Sequence, residues 1–259
     1  MRIGFVQTSP LLGEVEKNLE RAEELVISLD AELIVLPELF TTGYDLEDRA
    51  AVEALAEPAD GPTSRRLSEL ARRRSTYLAY GFAERQGASV YNAAQLVGPD
   101  GALGGYRKTH LFMREKALFD PGDRAPPVLE IAAGVKIGLM ICFDWVFPEV
   151  ARTLALGGAQ IIAHPSNLVL PWCQAAMLTR SIENRVFSVT ANRVGSEGEL
   201  EFTGQSQVTS PRGELLVRAP ARGELAAAIE IDEKLALDKR INPLNDLFAD
   251  RRPGLYRLG

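Results

Sequence analysis

Histidine, cysteine and tryptophan are scarce in this chain, with two of each in 259 residues. So few cysteines do not make a disulfide framework, which points to a reducing, cytoplasmic setting. Two histidines are too few for a typical zinc site. Neither H-E-x-x-H nor a paired C-x-x-C occurs, so no metal is expected. Gly101-Ala-Leu-Gly-Gly105 lacks the Lys-Ser/Thr ending of a phosphate-binding loop, so phosphate chemistry has no support and no cofactor is expected. No apolar run approaches the ~20 residues of a membrane helix, and MRIGFVQTSP enters a strand-like pattern with no charged leader. Excess positive charge is missing too. A net charge of -6 argues against nucleic acid or an anionic membrane as a partner. The densest basic run, Arg72-Arg73-Arg74, ends a helical pattern, where cations complement the helix dipole.

What is present is an ordinary globular composition, 46% apolar and 25% charged. No Pro/Ser linker or low-complexity stretch marks a boundary, so one domain over residues 1–259 is expected. Arg2 to Gln7 alternates as a strand does. Leu19, Ala22, Val26 and Leu29 share one helical face over roughly Glu14 to Leu29. Leu33-Ile-Val-Leu36 is a continuous apolar run cut off by Pro37, as suits a strand buried on both faces. Thr63 can cap a helix carrying Leu67, Leu70 and Ala71. Val97-Gly-Pro-Asp-Gly101 and Thr209-Ser-Pro-Arg-Gly213 read as hairpin turns. Each follows the pattern helix, strand, strand, turn, strand, a weak internal echo. Further strands are expected over Val135 to Ile141, Ile161 to Ala163 and Leu225 to Ile231. Helices are expected over Pro148 to Leu156 and Ala175 to Arg185. Together these give an α/β fold with mixed sheets and helices outside.

Three strand ends carry chemistry-bearing side chains, and strand ends are where such groups gather on a rigid frame. Glu38 lies between Pro37 and Leu39, where apolar neighbours raise a carboxyl pKa toward the range of a general base. A carboxylate capping a loop is the alternative. Lys108, in Tyr106-Arg-Lys-Thr-His110, could equally be an exposed loop lysine, and Cys142 a small core hydrophobe. Taken together they suggest more. A thiol at a helix N-terminus near an ammonium gains thiolate character. Glu38 could take the thiol proton, while Lys108 and the backbone N–H of Phe143 could meet an oxyanion.

LPELF, YRKTHLF and MICFDWVFPEVAR resemble, in order and separation, the three signature blocks of the nitrilase, or carbon–nitrogen hydrolase, superfamily. HPSNL at 164–168 and ENRV at 183–186 match as well, and the resemblance runs over nearly the whole chain. It is closest to the small stand-alone nitrilases and aliphatic amidases. The resemblance implies Cys142 as nucleophile, Glu38 as general base and Lys108 as the cation facing the oxyanion. It also implies a further glutamate, here Glu115 in REKALFDPG, whose plain alternative is an exposed helix acid. The implied fold is an α-β-β-α sandwich, paired into a four-layer homodimer or a higher homo-oligomer.

On this reading His110 and His164 are structural, hydrogen-bonding loops around the site. Phe143-Asp144 follows the nucleophile as in many amidase branches, whereas dedicated nitrilases more often carry Trp-Glu there. The expected reaction is hydrolysis of a small aliphatic amide through a thioester, with a nitrile as the alternative substrate. A catalytically inactive binding protein on the same fold is the alternative of another class. Tyr44, Phe112, Trp145, Asn167 and Trp172 flank the blocks and are candidates for the substrate pocket, although each aromatic could be core or dimer packing. Cys173 is expected to be incidental.

Overall fold

The computed structural model describes residues 1–256, so the last three residues of the expected domain lie outside it. The first half begins with β1 (Arg2–Gln7), α1 (Val15–Ile27) and β2 (Leu33–Val35). A short α2 (Arg49–Leu55) and α3 (Pro62–Arg74) lead into β3 (Tyr77–Gln86), β4 (Ser89–Gly98) and β5 (Gly101–Arg107). A single turn, α4 (Glu115–Leu118), and an edge strand, β6 (Val128–Glu130), precede the second half. That half runs β7 (Lys136–Leu139), α5 (Pro148–Leu156), β8 (Ile161–Pro165), α6 (Cys173–Asn184) and β9 (Phe187–Ala191). A small hairpin, β10 (Ser196–Glu197) and β11 (Leu200–Glu201), comes before β12 (Gln207–Thr209) and β13 (Leu215–Arg218). Then β14 (Leu225–Glu230) returns to pair antiparallel with β1.

The two sheets have orders β14-β1-β2-β3-β4-β5 and β13-β12-β9-β8-β7-β6. Their central strands correspond. In the first, β1, β2 and β3 are parallel and β4 and β5 antiparallel; in the second, β7, β8 and β9 are parallel and β12 and β13 antiparallel. The internal echo in the sequence is thus a repeated topology. Both expected turns close hairpins, β4–β5 and β12–β13.

Strand alternation sorts side chains between layers. Ile3, Phe5, Leu33, Val35 and Ala79 point into the core shared with Ile137, Leu139, Ile161 and Val189 of the other sheet. Val6, Ile34, Leu78 and Tyr80 point the other way, onto Leu19, Ala22 and Val26 of α1 and Leu67 and Leu70 of α3. On the second sheet α5 and α6 take the corresponding place, with Val150, Leu154 and Met177 buried. This is the α-β-β-α sandwich, and it leaves the carboxyl ends of β2, β7 and β8 as rigid bases for loops.

Two local expectations change. Thr63 does not cap α3; the helix starts at Pro62, and the carboxylate of Glu57 accepts from the Thr63 N–H instead, at 2.8 Å. Cys142 does not open an α-helix either. It starts a 3-10 turn over Cys142–Val146, and α5 begins only at Pro148.

Candidate active site

Each reactive side chain stands at a strand end held by backbone geometry. Pro37 stops the ladder after β2, and Glu38 follows it against β3, where Gly81 N–H donates to the Pro37 carbonyl at 3.1 Å. A Cβ on Gly81 would lie 2.5 Å from Glu38 Cα, so only glycine lets the strand approach this closely. Lys108 follows β5 and is tied to β4 by its N–H on the Asn92 carbonyl, 2.8 Å. Cys142 has a φ of 39°, a left-handed conformation that costs about 1–3 kcal/mol in a residue with a Cβ. Asp144 braces this turn: its Oδ2 accepts from Ile141 N–H at 2.9 Å, and His110 Nδ1 lies 2.7 Å from its Oδ1.

The site brings Glu38, Lys108 and Glu115 into one buried cluster. Lys108 Nζ donates to Glu38 Oε1 and to Glu115 Oε1, both at 2.7 Å. Asn92 Nδ2 donates to Glu38 Oε1, also at 2.7 Å, while Glu38 Oε2 is buried with no hydrogen-bond partner among the described residues. Tyr44 OH donates to Glu115 Oε1 at 2.7 Å, and Glu115 Oε2 accepts from Phe112 N–H at 3.1 Å. Asn167 links base and nucleophile: its Nδ2 donates to the Glu38 carbonyl at 2.8 Å, and its carbonyl lies 3.7 Å from Cys142 Sγ. Asn167, a candidate for the pocket wall, thus bonds to the Glu38 backbone and lies beside the Cys142 thiol.

Charge follows from burial. Burial works against the Lys108 ammonium, yet the carboxylates of Glu115 and Glu38 outweigh it and hold its pKa well above the ordinary lysine value. Burial pushes the Glu38 carboxyl up. Lys108 pulls it back and Glu115 adds to the rise, so the net direction is upward and the carboxylate is a stronger base. Burial, with the Glu38 charge added, also pushes the Cys142 thiol well above its usual range. At rest the Cys142 side chain is a neutral thiol. This corrects the expected thiolate character: burial beside a carboxylate outweighs the attraction of Lys108 and there is no α-helix terminus to help.

The two histidines are each held by close contacts beside the site. His164 Nε2 lies 2.9 Å from the Cys142 carbonyl and its Nδ1 3.1 Å from Thr190 Oγ1. Burial pulls its pKa down to about 4, which keeps it neutral. His110 stacks on Phe147 with centroids 3.8 Å apart.

Of the remaining candidates, the Phe143 N–H has no backbone acceptor among the described residues, and its ring lies 4.9 Å from that of Phe112. Tyr44 lines a cavity of about 360 Å³ that reaches Glu115 and is flanked by Asp45, Met113, Arg114 and Leu200. Trp145 is buried in the same core cluster as Cys142, and its carbonyl accepts from Arg180. Trp172 is 61% exposed at the start of α6 and touches none of the catalytic groups through a hydrogen bond. Cys173 is fully buried among apolar side chains. Sequence reasoning missed Asn92 and the Asp144 brace, since polar residues in strands and turns carry no signal of what they face.

Comparison with known proteins places the chain in a family. The carbon-nitrogen hydrolase family model matches residues 2–239. A protein of Pyrococcus abyssi called nitrilase is 47% identical, over 99% of each chain. An (R)-stereoselective amidase of a Pseudomonas species is 35% identical, over 97% of this chain and 92% of its own. Among solved structures, an amidase from Nesterenkonia sp. AN1 superposes with a TM-score of 0.79 at 27% identity, over 93% of this chain and 94% of that one. It is a glutamate-to-glutamine mutant showing covalent addition of the acetamide moiety of fluoroacetamide at the active site cysteine. The chain is a member of the carbon-nitrogen hydrolase family, a cysteine-dependent enzyme of the nitrilase and amidase kind.

Proposed function

We propose that the protein hydrolyses a small aliphatic amide, releasing ammonia through a thioester on Cys142. The observation that carries this reading is Lys108 held at 2.7 Å from both Glu38 and Glu115, in a buried cluster whose charges act on a neutral thiol. In the first step the Cys142 proton passes to the unpartnered Oε2 of Glu38 as Sγ attacks the carbonyl carbon. The oxygen becomes an oxyanion, met by Lys108 Nζ and the Phe143 N–H. Collapse breaks the C–N bond, Glu38 returns its proton to the leaving nitrogen, and ammonia departs. Glu38 then takes a proton from water, whose oxygen attacks the thioester. The C–S bond breaks, sulfur recovers the proton, and the carboxylic acid leaves.

Nitrile hydrolysis is the second reading, favoured by the 47% identity to the Pyrococcus abyssi nitrilase. There Sγ adds to the nitrile carbon, and water followed by loss of ammonia leads to the same thioester. Relatives and structural neighbours named as amidases support the amide. Measuring kcat/KM for an amide and a nitrile of one carbon skeleton, butyramide and butyronitrile, separates the two. The amide reading expects the amide to be faster, and a faster nitrile overturns it. No ammonia from either, with a thiol of ordinary reactivity, would favour a binding protein.

A cytoplasmic homodimer belongs to the same proposal. Both cysteines are free, and Ile241, Leu244 and Leu255 in the C-terminal segment are 63%, 89% and 71% exposed, an apolar surface that a second copy would cover.

A further inference from the structure

Arg193 is the largest fully buried side chain among the described residues, 1% exposed, and the catalytic steps do not use it. It follows β9 in the second sheet, in Thr190-Ala-Asn-Arg193, and its Nη1 pairs with Glu197 Oε1 of the β10–β11 hairpin. Its Nη2 donates to the Pro10 carbonyl at 3.1 Å. The other oxygen of Glu197 crosses to the first half of the chain, accepting from the N–H groups of Tyr44 at 2.9 Å and Asp45 at 2.7 Å. Gly43 makes room for it. With a φ of 76°, it would place a Cβ 2.8 Å from Glu197 Oε1. A second route reaches the Tyr44 ring: the Arg193 guanidinium lies 4.0 Å over Phe202, which meets Tyr44 edge-on with centroids 6.0 Å apart. Tyr44 is therefore held at backbone and ring by one buried cation. Its hydroxyl ends on Glu115 Oε1, the oxygen that also accepts from Lys108.

We infer that Arg193 and Glu197 are positioning residues of the catalytic centre, fixing Tyr44 so that its hydroxyl shares Glu115 Oε1 with Lys108. The inference rests on Lys108 and Glu115 serving the chemistry as proposed. A lone buried ion pair gives little net stability against an apolar replacement of similar shape, so stability alone does not account for the arrangement. The hydrogen bonds that Glu197 accepts from Tyr44 and Asp45 do.

Two double substitutions remove the ion pair equally and differ only at the clamp. Arg193→Met/Glu197→Leu takes away the acceptor for the Tyr44 amide, whereas Arg193→Met/Glu197→Gln keeps an acceptor oxygen. The Leu variant is expected to lose about 10-fold in kcat with KM within about 2-fold, and the Gln variant at most about 3-fold. In a Tyr44→Phe background the Leu variant should add little further loss, because the contact it disturbs is already gone. Thermal unfolding of both variants shows whether each is folded at the assay temperature. If the Leu variant is not, Phe202→Leu, which leaves Glu197 in place, should lower kcat by a smaller factor and lose that effect in the Tyr44→Phe background. Equal kcat in the Leu and Gln variants, or full additivity with Tyr44→Phe, would overturn the inference. An active Cys142→Ala protein would instead overturn the site reading beneath it.

Discussion

Asn92 donates to Oε1 of Glu38 at 2.7 Å, the same oxygen that accepts from Lys108, leaving Oε2 free to take a proton. The donation favours the charged carboxylate and so pulls the Glu38 pKa down against burial. Replacing Asn92 with Leu removes that pull, and the pKa climbs. Because the base must be ionised to act, activity is lost as pH falls through this pKa. The acid limb of a kcat/KM profile is expected to move to higher pH in Asn92→Leu, and a limb that stays put or moves lower would contradict the assignment.

Lys108 is the one cation between two buried carboxylates. Lys108→Met should cost about 3–5 kcal/mol of stability, since the carboxylates are left without a partner, and about 10²–10³ in kcat. Adding Glu115→Gln removes one orphaned charge and should recover much of the stability in urea unfolding without recovering activity. Recovery of both together would place Lys108 outside the chemistry.

His164 is neutral in the fold, its pKa pulled by burial from the ordinary 6.5 to about 4. Between those values the unfolded chain binds a proton that the folded chain does not. The contribution is full above pH 6.5 and is lost as pH falls toward 4, about 3 kcal/mol over that window. Urea unfolding from pH 7 to 4 should show wild type losing about that much more than His164→Gln; parallel losses would contradict the placement. For His110→Ala the expected cost in kcat is under about 10²-fold, below that of removing a general base.

Gly81 lies where β3 presses on Glu38. A methyl group there meets Glu38 Cα at 2.5 Å, so Gly81→Ala must push the base away from its position. A displacement of this kind costs on the order of 10² in activity. The expected result is a folded protein with circular dichroism like wild type and kcat/KM down by that factor. Unchanged activity would show that the base tolerates the shift.

Glu38 and Cys142 were legible because each stands at the end of an apolar run, in LPELF and MICFDW, whereas Lys108, in YRKTHLF, and Glu115, in REKALF, were picked out by resemblance to the family. The layers were legible for a similar reason, since β2 and α1 announce themselves through continuous or helically spaced apolar residues. What was not legible depends on the pairing of distant segments. Asn92 looks like any polar residue of an alternating strand until β4 is laid between β3 and β5. Trp145 sits in the turn that carries Cys142 and Trp172 just before α6, and tertiary packing, not local sequence, turns one into the core and the other onto the surface. The Cys142 thiol was misjudged because its pKa is set by burial and by Glu38, 104 positions earlier in numbering, more than by the turn that carries it. Arg193 did leave a trace: an arginine inside the apolar-leaning run Val189-Thr-Ala-Asn-Arg-Val194 is unusual enough to ask what it pairs with.

The central claim is that Cys142 is the nucleophile of a carbon–nitrogen hydrolase. Ammonia release from short amides, ω-amides, carbamoyl compounds and dinitriles by wild type and Cys142→Ala, assayed in parallel, tests it most directly. The account predicts turnover of at least one compound by wild type and none above background by the alanine protein. Release by Cys142→Ala at the wild-type rate would contradict it.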